Sequence, residues 1–191
     1  NNIPEGNREK LAHTLFCVEN PPGSGYVSGS QDSIGIVFPG VNRLDYPKGE
    51  YWPEAITSLK DEATLHWIES HLWFINLSPR EEDYHVLSDT RIDEQGARAL
   101  AFAANELWNA ILKRDIQTFG HYFKASFEAQ IAMFPNMVTN QVRETIEHYR
   151  HQALGWKISG AGGGGYLGPV SEKTNPNPMP ITNRKKTNPS P

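Results

Sequence analysis

Apolar positions first gather between Glu9 and Glu19, where Leu11, Ala12, Leu15, Phe16 and Val18 recur at helical spacing. The pattern predicts a short amphipathic helix, ended by Pro21 and Pro22 because neither can donate a backbone hydrogen bond. A glycine-rich stretch, PPGSGYVSGSQDSIG, follows. Ile34, Ile36, Val37 and Phe38 predict a short buried helix or turn. Pro39-Gly40 breaks that segment, and Val41 to Tyr46 reads as a strand. Residues 47–66 mix their signals and predict no element. His71 to Leu77, short and aromatic and bounded by Ser78-Pro79, reads as a buried strand.

Three helices are predicted next. Asp93 caps one through Leu100, Ala104, Leu107, Trp108 and Ile111. Asp115 caps a second, striped by Phe119, Phe123, Phe127 and Ile131 and stopped by Pro135, and Thr139 starts a third through Val142, Ile146 and Tyr149. The aromatic stripes read as core packing at this regular spacing. Gly155 reads as a helix terminator, and Trp156 to Glu172 as strand, glycine loop and second strand. Beyond Lys173 the proline- and asparagine-rich sequence predicts an extended tail with at most an edge strand near Ile181.

Charge and composition narrow the function. With 18 basic against 22 acidic residues, the net charge is −4. That balance gives no electrostatic case for a nucleic-acid or membrane partner, and Arg184-Lys185-Lys186 reads as a solvated charge run. No apolar run reaches the length of a membrane span. The one cysteine, Cys17, excludes an intramolecular disulfide; in its helical setting it reads as a buried structural thiol, and a cytoplasmic protein is expected. His148 and His151 share a helix face with Glu144 or Glu147 but lack a third convincing ligand, so no residue is assigned to a metal. Residue 1 is Asn and the first helix begins almost at once, which leads us to expect a fragment, a processed product or an excised piece.

Two segments carry candidate chemistry. Gly162 to Gly165 follow Ser159-Gly160-Ala161, and a glycine run gives up packing and folding entropy. What it permits is close backbone approach to a ligand, with successive N–H groups aimed at an anion. PPGSG imitates such a cradle but feeds into SGSQDSIG and lacks the Gly-Lys-Ser/Thr ending of a P-loop, so it reads as a connector. Asp32, between a polar turn and the apolar IGIVF, is either a helix N-cap or a held, reactive carboxylate; the residues alone leave both open.

Together, SGSQDSIGIVFPGVN and KISGAGGGGYLG resemble the C-terminal part of the GHMP kinases, over about Arg8 to Glu172. The Gln-Asp pair and PGVN are most similar to the sugar-kinase branch with fucokinase, galactokinase and the heptose-phosphate kinases. The resemblance implies an α+β fold: a GHMP C-terminal domain with helices packed on a small antiparallel sheet, preceded by the last elements of the N-terminal domain. On that basis residues 1–46 end the N-terminal domain and carry the acceptor segment, 47–172 form the C-terminal domain, and 173–191 are an extended tail.

It further implies ATP with Mg²⁺ as cofactors and a sugar or sugar phosphate as substrate. Asp32 would be the catalytic group beside the acceptor hydroxyl, as general base or orienting charge. Gly29, Ser30 and Gln31 would bind substrate. Ser159, Gly160, Ala161, Gly162, Gly163 and Gly164 would line the nucleotide phosphates. Ser78-Pro79 departs from the Thr-Gly-x-x-Arg pattern of relatives, so Arg80 is given no role. The family's Pro-x-Gly-x-Gly-Leu-Gly-Ser-Ser loop does not occur, so the missing N-terminal domain is an expected partner. A noncatalytic ligand-binding or regulatory module is the alternative, and an isoprenoid-pathway kinase or decarboxylase a third reading.

Overall fold

Asn7 starts the first helix, α1 (Arg8–Glu19), by accepting the Lys10 amide on its side-chain oxygen at 3.0 Å. The computed structural model describes residues 5–80, 84, 85 and 87–173, with the backbone of Met179 and Pro180. These divide into two units, the boundary falling between Leu65 and His66.

In the first unit, α1 ends at Asn20, whose side-chain oxygen accepts the Ser28 amide at 2.6 Å while its amide donates to the Phe16 carbonyl at 2.9 Å. One residue thus clips the base of the PPGSG loop, which turns through a Ser24 N–H to Pro21 carbonyl bond. Helix α2 (Gln31–Val37) and the antiparallel pair β1 (Val41–Asp45) and β2 (Ala55–Leu59) complete the unit, with Val41 opposite Leu59 and Asp45 opposite Ala55. Ala12, Ile34 and Val37 are its buried centre, packed by Leu11, Leu15, Phe38, Leu44, Trp52 and Ile56.

Cys17 corrects the sequence reading, because it is exposed. Five residues on from buried Ala12, position 17 lies roughly 140° around the helix and off the apolar arc. Its thiol lies 3.6 Å from His13 Nδ1.

The division between units falls within α3 (Glu62–His71). The second unit then runs through β3 (Trp73–Asn76), α4 (Glu94–Lys113), α5 (Ile116–Met133), a 3-10 turn at Pro135–Met137, α6 (Asn140–Tyr149), β4 (Gly155–Ile158), β5 (Tyr166–Val170) and β6 (Met179–Pro180). The predicted caps are present. Asp93 accepts the Gly96 amide at 2.6 Å, Asp115 the Gln117 and Thr118 amides at 3.1 and 3.2 Å, and Thr139 the Val142 amide at 3.3 Å. Hydrogen bonds from Thr118, above all its hydroxyl, hold the Asp115 carboxyl below its usual range.

The four strands form one antiparallel sheet in the order β4-β5-β3-β6, with Leu167 of β5 opposite both Ile158 and Ile75. Leu77, Phe127, Val142, Ile158 and Leu167 are the core between sheet and helices. The architecture is therefore α+β, helices on a small antiparallel sheet. β6 takes an end position, where a proline costs no ladder bond. The rest of the expected tail beyond Lys173 lies outside the described residues, Ile181 and the Arg184-Lys185-Lys186 run included. Among the described residues, no helix is long and apolar enough to cross a membrane.

Gly155 does not terminate α6, which closes at Arg150; it opens β4 instead. Its reason is close approach. A Cβ there would sit 2.9 Å from the carbonyl carbon of Gly120 and 3.3 Å from its Cα, so α5 and β4 touch backbone to backbone. Neither main chain can yield as a side chain can. We expect Gly155→Ala to destabilise the second unit by about 1–3 kcal/mol; urea unfolding checks it, and an unchanged midpoint would mean that the two backbones separate freely.

Candidate functional site

The acceptor segment is built from beneath. Ser30 is fully buried, and its hydroxyl donates to the Tyr51 carbonyl at 2.6 Å. Having given its one proton there, it can only accept from the Tyr46 hydroxyl, 2.9 Å away. Burial pushes the Tyr46 phenol up, against the opposing pull of the Ser30 bond, so Tyr46 remains the donor that this chain needs. Ser33, also fully buried, donates to Glu19 Oε2 at 3.0 Å. Two anchors therefore fix the first turn of α2, and the side chains between them are left facing out.

Those side chains are Gln31 and Asp32, both exposed. Ser30 occupies the N-cap position, without a side-chain cap bond, and Asp32 lies in the first turn. The N-cap alternative for Asp32 is thereby removed. Gln31 folds back over Gly29, where a Cβ would stand 3.2 Å from its Cδ. Gly29, Gln31 and Asp32 thus share one surface turn, with Ser30 as its buried foot.

The glycine loop lies in the second unit, between β4 and β5. Ser159 donates to the Tyr166 carbonyl at 2.9 Å and closes its neck. Gly162 and Gly164 are buried, and the chain packs against them so tightly that side chains are excluded. A Cβ on Gly162 would meet Met137 Cβ at 2.7 Å, one on Gly163 would overlap the Tyr84 ring, and one on Gly164 would come within 2.9 Å of the Arg80 amide nitrogen.

The same neighbours take up part of the loop's polarity. Gly163 N–H donates to the Met137 carbonyl at 3.1 Å and Gly165 N–H to the Ser78 carbonyl at 3.2 Å. Arg80 Nε donates to the Gly162 carbonyl, and the Tyr84 hydroxyl to the Ala161 carbonyl, each at 2.8 Å. Burial raises the Tyr84 phenol, with the Arg80 guanidinium pulling the other way, so the hydroxyl stays a donor at neutral pH. Among the described residues, the amides of Gly160, Ala161, Gly162 and Gly164 have no acceptor. Fixed carbonyls with unused amides can receive an oxyanion.

Sequence reasoning weighed Arg80 and set it aside because of Ser78-Pro79, and it missed Tyr84. Both residues stand some 80 positions before the carbonyls they hold, a separation that no local pattern spans. Two residues before Ser159, the Lys157 amine is largely buried, bonded to Gln130 Oε1 at 2.6 Å and Ser126 Oγ at 3.2 Å. For a divalent cation, no group of three or more His, Cys, Asp or Glu gathers among the described residues. Magnesium would come with its nucleotide, held mainly by phosphate oxygens and water.

No family model matches the chain, and no curated protein does. Solved structures share its fold. A crystal structure of mevalonate kinase matches at a TM-score of 0.59 and 15% identity, covering 88% of this chain and 50% of that one. A D-glycero-D-manno-heptose 1-phosphate kinase from Bacteriodes thetaiotaomicron matches at a TM-score of 0.57 and 15% identity, covering 95% of this chain and 53% of that one. Both are GHMP kinases, and the α+β architecture found here agrees with a GHMP C-terminal domain. The chain spans about half the length of these structures. The likeness is one of fold, and it does not select a branch.

Proposed function

We propose that this chain is the C-terminal portion of an ATP-dependent kinase that transfers the γ-phosphoryl group to a hydroxyl of a sugar or sugar phosphate. The observation that carries the reading is the glycine loop, with the Ala161 and Gly162 carbonyls held by side chains and four amides without an acceptor among the described residues. Phosphoryl transfer asks for alignment of the hydroxyl with the phosphate, and for charge stabilisation on the phosphate oxygens, more than for covalent help. Backbone N–H groups of Gly160, Ala161, Gly162 and Gly164 supply the second. To Asp32, in the first unit, the family resemblance assigns the sugar hydroxyl, as orienting charge and proton acceptor. By resemblance alone, SGSQD and PGVN favour the sugar-kinase branch over mevalonate-type chemistry.

Calorimetry of the chain with ATP-Mg²⁺ tests the nucleotide half. Saturable binding is expected, and Gly162→Ala is expected to abolish it, because φ of +77° and the Met137 contact leave no place for a methyl group. Absence of binding by the wild-type chain at millimolar ATP, with no turnover of any sugar by a longer parent, would sink the reading. One rival is a module that binds but does not catalyse. Binding of ATP by a longer parent that turns over no sugar would establish it.

A further inference from the structure

Within the glycine loop the held peptide units are not equivalent. The Gly162–Gly163 unit is taken at both ends, its carbonyl by Arg80 Nε and its amide by the Met137 carbonyl. The Gly164–Gly165 unit gives its amide to Ser78, and in the following unit the Gly165 carbonyl accepts the Leu77 amide at 2.8 Å. Among the amides of Ser159 to Gly165, that of Gly162 is the one whose unit has its carbonyl fixed, by the Tyr84 hydroxyl on Ala161, while the N–H has no acceptor among the described residues.

N–H and C=O of a trans peptide point in opposite directions. Holding the Ala161 carbonyl against Tyr84 therefore aims the Gly162 amide away from it. Gly162 is buried, and an unpartnered amide in a buried residue is costly until an acceptor arrives. The guanidinium of Arg80 is close by: a Cβ on Gly160 would stand 3.4 Å from its Nη2. A single phenol thus sets the direction of the one amide in the loop whose carbonyl end is held and whose donor end is unused.

We infer that Tyr84 is a positioning residue, whose hydroxyl presents the Gly162 amide to a phosphate oxygen of a nucleoside triphosphate. The inference rests on reading the loop as the nucleotide site, and it adds a residue to which no role was given. The ring and the hydroxyl of Tyr84 have separate tasks. The ring covers Gly163, while the hydroxyl alone reaches the Ala161 carbonyl.

Tyr84→Phe removes the second task and keeps the first. In a ¹⁵N-resolved titration of the 191-residue chain with ATP-Mg²⁺, and separately with inorganic tripolyphosphate, the wild-type Gly162 amide resonance should move. In Tyr84→Phe that movement should shrink and affinity for both probes fall about tenfold, with the melting temperature unchanged. Tyr84→Leu, which also loses the ring, should bind no better than Tyr84→Phe. Equal affinity of Tyr84→Phe and wild type would overturn the positioning role while leaving the nucleotide site intact. A Tyr84→Phe chain that failed to fold would make the hydroxyl a structural tie and would overturn it as well. A wild-type chain in which no amide from Ser159 to Gly165 responds would remove the nucleotide reading and this inference with it.

Discussion

Asp32→Asn should lower kcat by roughly 10²–10⁴-fold and leave the KM for ATP unchanged, in the chain that carries turnover, whether this one or a longer parent containing it. The substitution keeps the shape of the side chain and one acceptor oxygen, and removes only the charge and the basic site. What surrounds Asp32 makes the comparison clean. Ser30 and Ser33 hold the turn through Tyr46, Tyr51 and Glu19, and none of these bonds involves the Asp32 carboxylate. The variant should therefore fold as the wild type does, losing at most about 1 kcal/mol of favourable interaction with the start of α2. A fall confined to about tenfold would leave orientation as its whole contribution. Wild-type turnover in Asp32→Asn would deprive Asp32 of a role.

The elements legible in the sequence were those whose signals are local. Asp93, Asp115 and Thr139 each cap a helix by bonding amides two or three residues on, a distance that a sequence pattern spans. β2 was missed because nothing in Ala55–Leu59 makes it a strand except β1 beside it. α3 was missed although its signal was present. Asp61 accepts both the Thr64 amide at 2.8 Å and the Thr64 hydroxyl at 2.6 Å, a cap of the same kind as the one at Asp115. Cys17 and Gly155 show the other failure, in which a residue type suggested a role that its position around the helix, or its neighbour Gly120, decided differently.

In the candidate site the glycine run stood out because its composition is costly to explain otherwise. Its glycines, however, make room for the protein itself. Met137, Tyr84 and the Ser78–Arg80 backbone fill the space that a ligand would have been expected to fill, and the ligand is left the amides that these neighbours do not use. That distinction lies in contacts between distant segments, out of reach of any motif.

The strand that enters this loop carries the group expected to give the clearest pH signature. Burial lowers the Lys157 ammonium from 10.5 to about 8, and its partners, Gln130 and Ser126, are both neutral. Between these two values the unfolded chain holds a proton that the folded chain has released, so stability rises with pH across that window. Over the full interval of about 2.5 units the gain is roughly 3 kcal/mol, and below pH 8 the whole cost of the buried charge is present. Lys157→Met removes that cost and leaves Gln130 and Ser126 without the amine, which returns about 1–3 kcal/mol. At pH 7 the variant should thus be as stable as the wild type or slightly more so, and by pH 10 clearly less. Urea unfolding of both chains at pH 7, 8.5 and 10 reads the difference directly, since other titrating groups, including Tyr46 and Tyr84, are common to the two. A difference that stayed constant with pH would show that the amine keeps its hydration in the folded chain, and β4 would then be looser at the mouth of the glycine loop than its bonds to α5 require.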